Sequence, residues 1–585
     1  MEVFERHGIA PHPTRPFGNR LLVGGVILAL GGAGLATATG IPLIWGLVGG
    51  AGMFATLGWY IRNLGNGVQG TNRAYQELLA GRDDAAEELL AAVESLDVKP
   101  HVLRSVDIQR ALLASRRGDF EAVRAAATRA LERPETAGTQ SVVRVQRSAA
   151  LALRAFAAAS LGDPEATRRD VDAVRAEALA EPEACARAEL ALAVALHKAG
   201  ERDALRQHLA AADELLDEHS APRDRALLRS LHRMLRAPAP SIYRKPASPS
   251  DEPLAVTDWV GRVVPEAGPF ARDIEASPPP RPPLPATAHP AEADAAKRGP
   301  AVTLQRGARL AGLAAAWLVV VGVTVLLFRL GDGAPRGFRP GTAAEGGLFL
   351  AAVVVTWVGY TVYRIRRATQ GERDARAART RLCREGAAAV LPALERLADG
   401  SSVYVAAYAR QILALHAFRE GHFDEALRHA EAGLAQLASE AQRRFAHDEL
   451  LPTLASQRAL ALAALGRASQ ASEALGSLNA RYHHFAHLDG VNLQIAALGA
   501  ARDGDLATLQ ALSAARGELP VGPRVELLLD LGQAAGDAAG VGAAEIARLR
   551  GVLARESAAL GWVRAIAPDL VRAFEQAVAL PEPTA

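Results

Sequence analysis

The chain has 585 residues and a formal net charge of +2. That length calls for several domains, because single cores stop growing well below it, and the near-neutral balance excludes a global polyanion-binding surface. Only four lysines (Lys99, Lys198, Lys245, Lys297) stand among 66 basic residues, and with abundant Ala, Gly and Pro this usage reads as GC-rich bacterial coding.

Residues 1–20 form a short tail with Arg6, Arg15 and Arg20. Leu21 to Ile61 then carries no charged side chain, long enough for two spans of about 20 residues at Leu21–Thr39 and Ile41–Ile61. Thr39-Gly40-Ile41-Pro42 supplies the reversal, and Trp59 and Tyr60 sit at the exit, where amphipathic rings favour the interface. The Gly-rich stretch Gly24–Gly40 does not read as a phosphate cradle. Gly32-Ala33-Gly34 has no third Gly, no acid lies between Glu5 and Glu77, and no lysine precedes Lys99. Small residues instead let helices approach closely in lipid, as at Gly46 and Gly50. A cleaved signal peptide is the rival reading, with Ala36-Thr37-Ala38 as its cleavage site, but a second hydrophobic run begins at once.

Residues 63–236 show apolar spacings of 3 and 4 in good helix formers. Gly81, Gly118, Gly162 and Gly200 punctuate the pattern at steps of 37, 44 and 38, each between an apolar helix and a polar turn. Such periods signal stacked helix pairs, since one pair cannot bury its apolar face alone. Gly at these points tolerates the left-handed backbone that closes the first helix. Residues 237–305 change character: fifteen of 33 prolines fall between Ala237 and Pro300. This Pro-rich linker is expected to be extended and disordered, a spacer or a docking motif for an aromatic groove. One island, Leu254 to Val260, is apolar enough to dock on an array.

A second hairpin is expected over 310–366, with spans Leu310–Phe328 and Leu348–Tyr363. Lys297, Arg298, Arg306 and Arg309 precede it, and Arg364, Arg366, Arg367, Arg373 and Arg376 follow. Basic residues flank the cytoplasmic ends, so both hairpins point outward and all soluble parts face the cytoplasm of a bacterial inner membrane. None of the four spans has an interior charge, which disfavours a transport path. The Arg-rich run Arg373 to Arg384 suits contact with anionic headgroups.

Residues 368–580 repeat the array. Gly386, Gly421, Gly466 and Gly504 follow steps of 35, 45 and 38, at offsets of 305, 303, 304 and 304 from the first set. This predicts an internal duplication of hairpin plus array, and an all-α chain. Gly-rich Gly532 to Glu545 marks a break between late helices. The unit around Leu413-Ala414 and Gly421-His422-Phe423-Asp424-Glu425-Ala426-Leu427 resembles a tetratricopeptide repeat (TPR) in its small, Gly, aromatic (Phe423) and Ala (Ala426) positions. Arg410 departs from the family's bulky position, Ala122 and Ala166 come one residue early, and steps of 44–45 exceed the usual 34. The resemblance implies a right-handed α-solenoid whose concave faces bind peptides or protein segments.

Chemistry is sparse. His483 and His487 share a helix face near Asp489 and are the weak metal candidates, without a third ligand or a catalytic Glu. Cys185 and Cys383 form no disulfide framework or metal set. No nucleophile, kinase or nucleic-acid signature occurs, and no cofactor is expected. The sequence predicts a multi-pass membrane scaffold, not an enzyme, with the bilayer and protein segments as partners. The alternatives are a component of a transport or envelope-assembly complex, and a metal-dependent enzyme centred on the histidines.

Overall fold

Helices start and stop here at Gly-Asp and similar junctions, and the computed structural model shows how. The structure describes residues 3, 67–79, 81–96, 98–135, 140–236, 248–271, 370–382, 385–400, 403–439, 444–482, 487–516, 519, 521–537, 543–555 and 560–579. Every element among them is helical. In the first half, α1 (67–79) pairs with α2 (Asp83–Glu94), and α3 (Pro100–Arg116) with α4 (Phe120–Glu132). α5 (Gln140–Leu161) pairs with α6 (Pro164–Ala176), and α7 (Pro182–Lys198) with α8 (Arg202–His219). α9 (Pro222–Arg236) follows, then α10 (Val256–Val263) and a 3₁₀ turn, Pro265–Phe270.

The second half runs in the same order: α11 (370–382) and α12 (Ala387–Ala398), α13 (Val403–Arg419) and α14 (Phe423–Ser439). Next come α15 (Arg444–Ala464) and α16 (Ala468–Tyr482), α17 (His487–Asp503) and α18 (Leu506–Ala515). α19 (Pro523–Gly536), α20 (Ala543–Arg555), α21 (Leu560–Ile566) and α22 (Pro568–Ala579) complete it. α13 begins 303 residues after α3, α14 303 after α4, and α16 304 after α6.

The eight punctuating glycines are the residues with positive φ among those described, at +67° to +83°. At Gly118 the reason is visible. Its N–H donates to Ser115 O at 3.1 Å and the Asp119 N–H donates to Ala114 O at 3.0 Å, the paired bonds that close a helix through a left-handed residue. Asp119 then caps the next helix, accepting from the Ala122 N–H at 3.0 Å. Asp163 and Asp505 do the same for α6 and α18. Gly386 differs: at ψ 170° it precedes α12 as an extended N-cap instead of closing α11 in the left-handed helical region.

The apolar faces fuse into shared cores. One joins α3 to α10, around Phe120, Phe156, Leu190 and Trp259; another joins α13 to α22, around Phe423, Leu498, Trp562 and Phe574. Apart from 370–374 in α11 and 479–481 in α16, the described helices of both halves fall in one compact unit, Met1–Arg281 with Ala375–Leu478 and Tyr482–Ala585.

Two expectations need correction. The expected disordered linker over 237–305 is not disordered throughout. Val256–Val263 is helical and Val256, Trp259, Val260, Val263 and Val264 are buried in the first core, because their apolar face has the array to pack on. The Gly-rich break does not begin at Gly532, since α19 runs to Gly536. Gly532 lies against Leu509, where a Cβ would come within 2.7 Å of the leucine Cβ, so close packing retains it. The expected hairpins at 21–61 and 310–366, and residues 4–20, lie outside the described residues. Among the described residues no helix is long and apolar enough to cross a membrane.

Candidate functional site: two tryptophan-filled grooves

The last carbonyls of a helix have no partner within it, and this chain supplies them from the next repeat. The Arg116 guanidinium donates to Leu78 O at 3.2 Å, and Arg502 to Ala464 O at 2.7 Å. Lys198 likewise donates to Ser160 O. Each cation lies 38 residues after the carbonyl it caps. At the ends of α3 and α13 an indole from farther along the chain takes this position. The Trp259 Nε1–H donates to Ser115 O at 2.7 Å, and the Trp562 Nε1–H donates to Phe418 O at 3.0 Å, each across 144 residues.

Both indoles are buried, at 1% and 2% exposure. In the first groove Trp259 stacks on Phe156 with centroids 5.9 Å apart and planes at 7°, and Phe156 meets Phe120 edge-on at 6.0 Å. In the second groove Trp562 meets Phe418 at 6.1 Å and Phe423 at 5.7 Å, both edge-on. The aromatic partner differs between the two halves. Phe156, six residues before Gly162, is matched by Leu460 before Gly466, while Ser115 is matched by Phe418. Each groove keeps one extra ring, from a different wall.

Backbone fixes the first segment as well. The Leu254 N–H donates to Arg116 O at 3.0 Å, and the Ser250 N–H donates to Arg117 O at 3.3 Å. Gly118 lies under this contact. A Cβ there would come within 2.7 Å of Leu254 Cδ1, whereas one at Gly162 meets nothing within 4 Å. Both glycines carry the left-handed penalty, about 1–2 kcal/mol for an L-residue. Gly118→Ala is therefore expected to cost about 1–3 kcal/mol more than Gly162→Ala, the usual toll of overpacking. Urea unfolding of the two variants reads the difference, and equal costs would mean that Leu254 does not press on Gly118.

The repeat residues Gly81, Gly118, Gly162, Gly200, Gly421, Gly466 and Gly504 all sit at helix-pair turns, and Phe423 and Ala426 are buried on α14. Trp259 lies in the apolar island Leu254–Val260 expected to dock on an array, and it does dock; Trp562 was not expected from the sequence. A signal was present: Trp259-Val260, Val263 and Pro265-Glu266 recur at 303 residues as Trp562-Val563, Ile566 and Pro568-Asp569. His483 lies outside the described residues, and His487 opens α17. Among the described residues no group of three or more His, Cys, Asp or Glu is placed to hold a metal ion. Cys185 is buried on α7, and Cys383 lies outside the described residues.

A cleft is lined by Pro182 and His219 from the first half and by Arg379, Tyr408, His416 and Arg419 from the second. Burial, then the charge of Arg419, pushes the His219 imidazole down to about 3; Glu183 opposes this, and Arg379 and Arg225 add to it. The unfolded chain takes up this proton near the ordinary value of 6.5, while the folded chain refuses it until about 3. Stability from this group therefore falls as pH drops from 6.5 toward 3. His219→Gln should flatten the thermal midpoint between pH 7 and 5, and an unchanged slope would remove His219 from the account.

The chain matches no protein-family model, no curated protein and no solved structure.

Proposed function

We propose that the chain is an integral membrane scaffold. In this reading two tetratricopeptide-like α-solenoid arrays, carried by apolar hairpins at 21–61 and 310–366, hold protein segments at the cytoplasmic face of a bacterial inner membrane. One observation carries it: each array already takes a short helical segment into a groove, with a buried indole donating to a helix-end carbonyl. Helix-in-groove capture is a recurring mode of peptide recognition, and here it occurs twice on one plan. The uncharged runs flanked by arginines support the anchoring part.

Three experiments test it. Membranes washed in alkaline carbonate should retain the full chain, and reporters fused after Arg236 and at Ala585 should both read cytoplasmic. Release by carbonate, or a periplasmic reporter, overturns the anchored topology. For the binding part, a labelled peptide of residues 250–271 should bind full chain whose own segment carries Trp259→Ala and Val263→Asp. The same peptide with Trp259→Ala should not bind, and equal binding of both peptides would sink groove recognition.

A further inference from the structure

The duplicated halves meet through equivalent helices. α9 opens Pro222-Arg223 and α19 opens Pro523-Arg524, so at an offset of 301 residues Arg225 corresponds to Glu526 and Arg229 to Asp530. These corresponding residues face each other. Arg225 pairs with Glu526 in a buried contact, and its guanidinium also donates to Val521 O at 3.3 Å. Arg229 lies 3.2 Å from Glu526 and 3.6 Å from Asp530. One turn on, Arg233 reaches Glu545 at 2.6 Å. Within the second half, Arg516 and Arg548 complete the partners of the same carboxylates, at 3.1 Å and 2.7 Å from Asp530.

A second patch between the halves reverses the signs. Glu181 and Glu183 of the first half pair with Arg376 and Arg379 of the second, and Glu218 pairs with Arg419 at 2.9 Å. The Thr380 hydroxyl donates to Ala180 O at 2.7 Å beside it.

Contact between equivalent residues is the mark of a two-fold interface, in which the same patch serves both partners. With two identical copies such a contact would set Arg225 and Arg229 against themselves, or Glu526 and Asp530 against themselves. Buried like charges repel without the compensation that a buried ion needs, and such repulsion selects against the wrong partner. A fused chain escapes this, because its two copies can carry opposite charges at one position.

We infer that the α9–α19 contact is an interface between duplicated halves whose opposite charges at equivalent positions make each half specific for the other and reject a second copy of itself. The surface each half offers here is thus taken, and partners must use other faces of the arrays.

The test uses the full chain in detergent with a protease site inserted in the Pro-rich stretch between 282 and 300, and a tag on the N-terminal half. After cleavage the C-terminal half should stay with the tagged half. Arg229→Glu places a carboxylate before Glu526 and Asp530, and retention should drop about tenfold or more while helical circular dichroism is unchanged. If that variant misfolds, neutral variants decide: Arg225→Met and Glu526→Gln should each weaken retention, and the two together should recover most of it, since neither charge is then left unpaired. Mixing cleaved chains with different tags should never pair two N-terminal halves. Separation of the wild-type halves, full retention in folded Arg229→Glu, additive losses in the neutral pair, or recovery of two N-terminal halves together would each overturn the inference.

Discussion

Trp562→Ala is expected to destabilise the second array by about 3–5 kcal/mol, the range for truncating a fully buried large aromatic. Three losses combine. The indole leaves a space between Phe418 and Phe423 that helix ends cannot close. Phe418 O loses the indole donor and keeps only the Gly421 N–H. The anchor of α21 and α22 on α13 goes with it, and neighbouring repeats depend on their interfaces for stability. Trp259→Ala should act on the first array in the same way, through Phe156 and Ser115. Trp→Phe at either position separates the terms: it keeps most of the bulk and removes the hydrogen bond, so only about 0.5–1.5 kcal/mol plus a small packing loss is expected. Denaturant unfolding of the four variants measures both. A cost below about 1 kcal/mol for Trp259→Ala, in the range of ordinary surface changes, would mean that the segment rests on the array without holding it.

How much of this was legible in the sequence follows from which contacts are local. Gly118 and Asp119 act within five residues of each other, so their spacing and repetition announce the helix-pair turns without any tertiary knowledge. The 303–305 residue offset was legible for the same reason. The Trp259 contact spans 144 residues and sits in a stretch whose proline content argues against a packed core. The apolar island Leu254–Val260 was legible as a docking segment, but its counterpart at Trp562 was not. Comparing the two copies, not the windows within one, would have exposed it, because Trp259-Val260 and Trp562-Val563 keep their register. The pairing of α9 with α19 was hidden more deeply. Arg225 and Arg229 look like an ordinary solvated face, and only the tertiary fold turns them into partners of Glu526 and Asp530.

That ion-pair network carries the other large effect. Glu526→Gln should destabilise the full chain by about 3–5 kcal/mol, the cost of breaking a buried ion pair from one side. Arg225, Arg229 and Arg516 all address this carboxylate, so its neutralisation leaves three guanidinium groups competing for Asp530 and backbone carbonyls. Acid should do the same to the native residue. Burial alone would raise the Glu526 pKa, but Arg225, Arg229 and Arg516 outweigh it and hold the carboxyl well below its ordinary value of 4.5. Arg548 and Arg233 hold Glu545 down likewise, against its burial. A depressed folded pKa contributes stability that is fully present above the unfolded value and is lost as pH falls below it. The wild-type chain should therefore lose stability steeply below about pH 4.5, while Glu526→Gln, already without the charge, should lose less over the same interval. The two stability curves converge in acid if the network sets the slope. Parallel curves from pH 7 to 3 would show that Glu526 contributes nothing to acid unfolding, and that the halves are held by apolar contact instead.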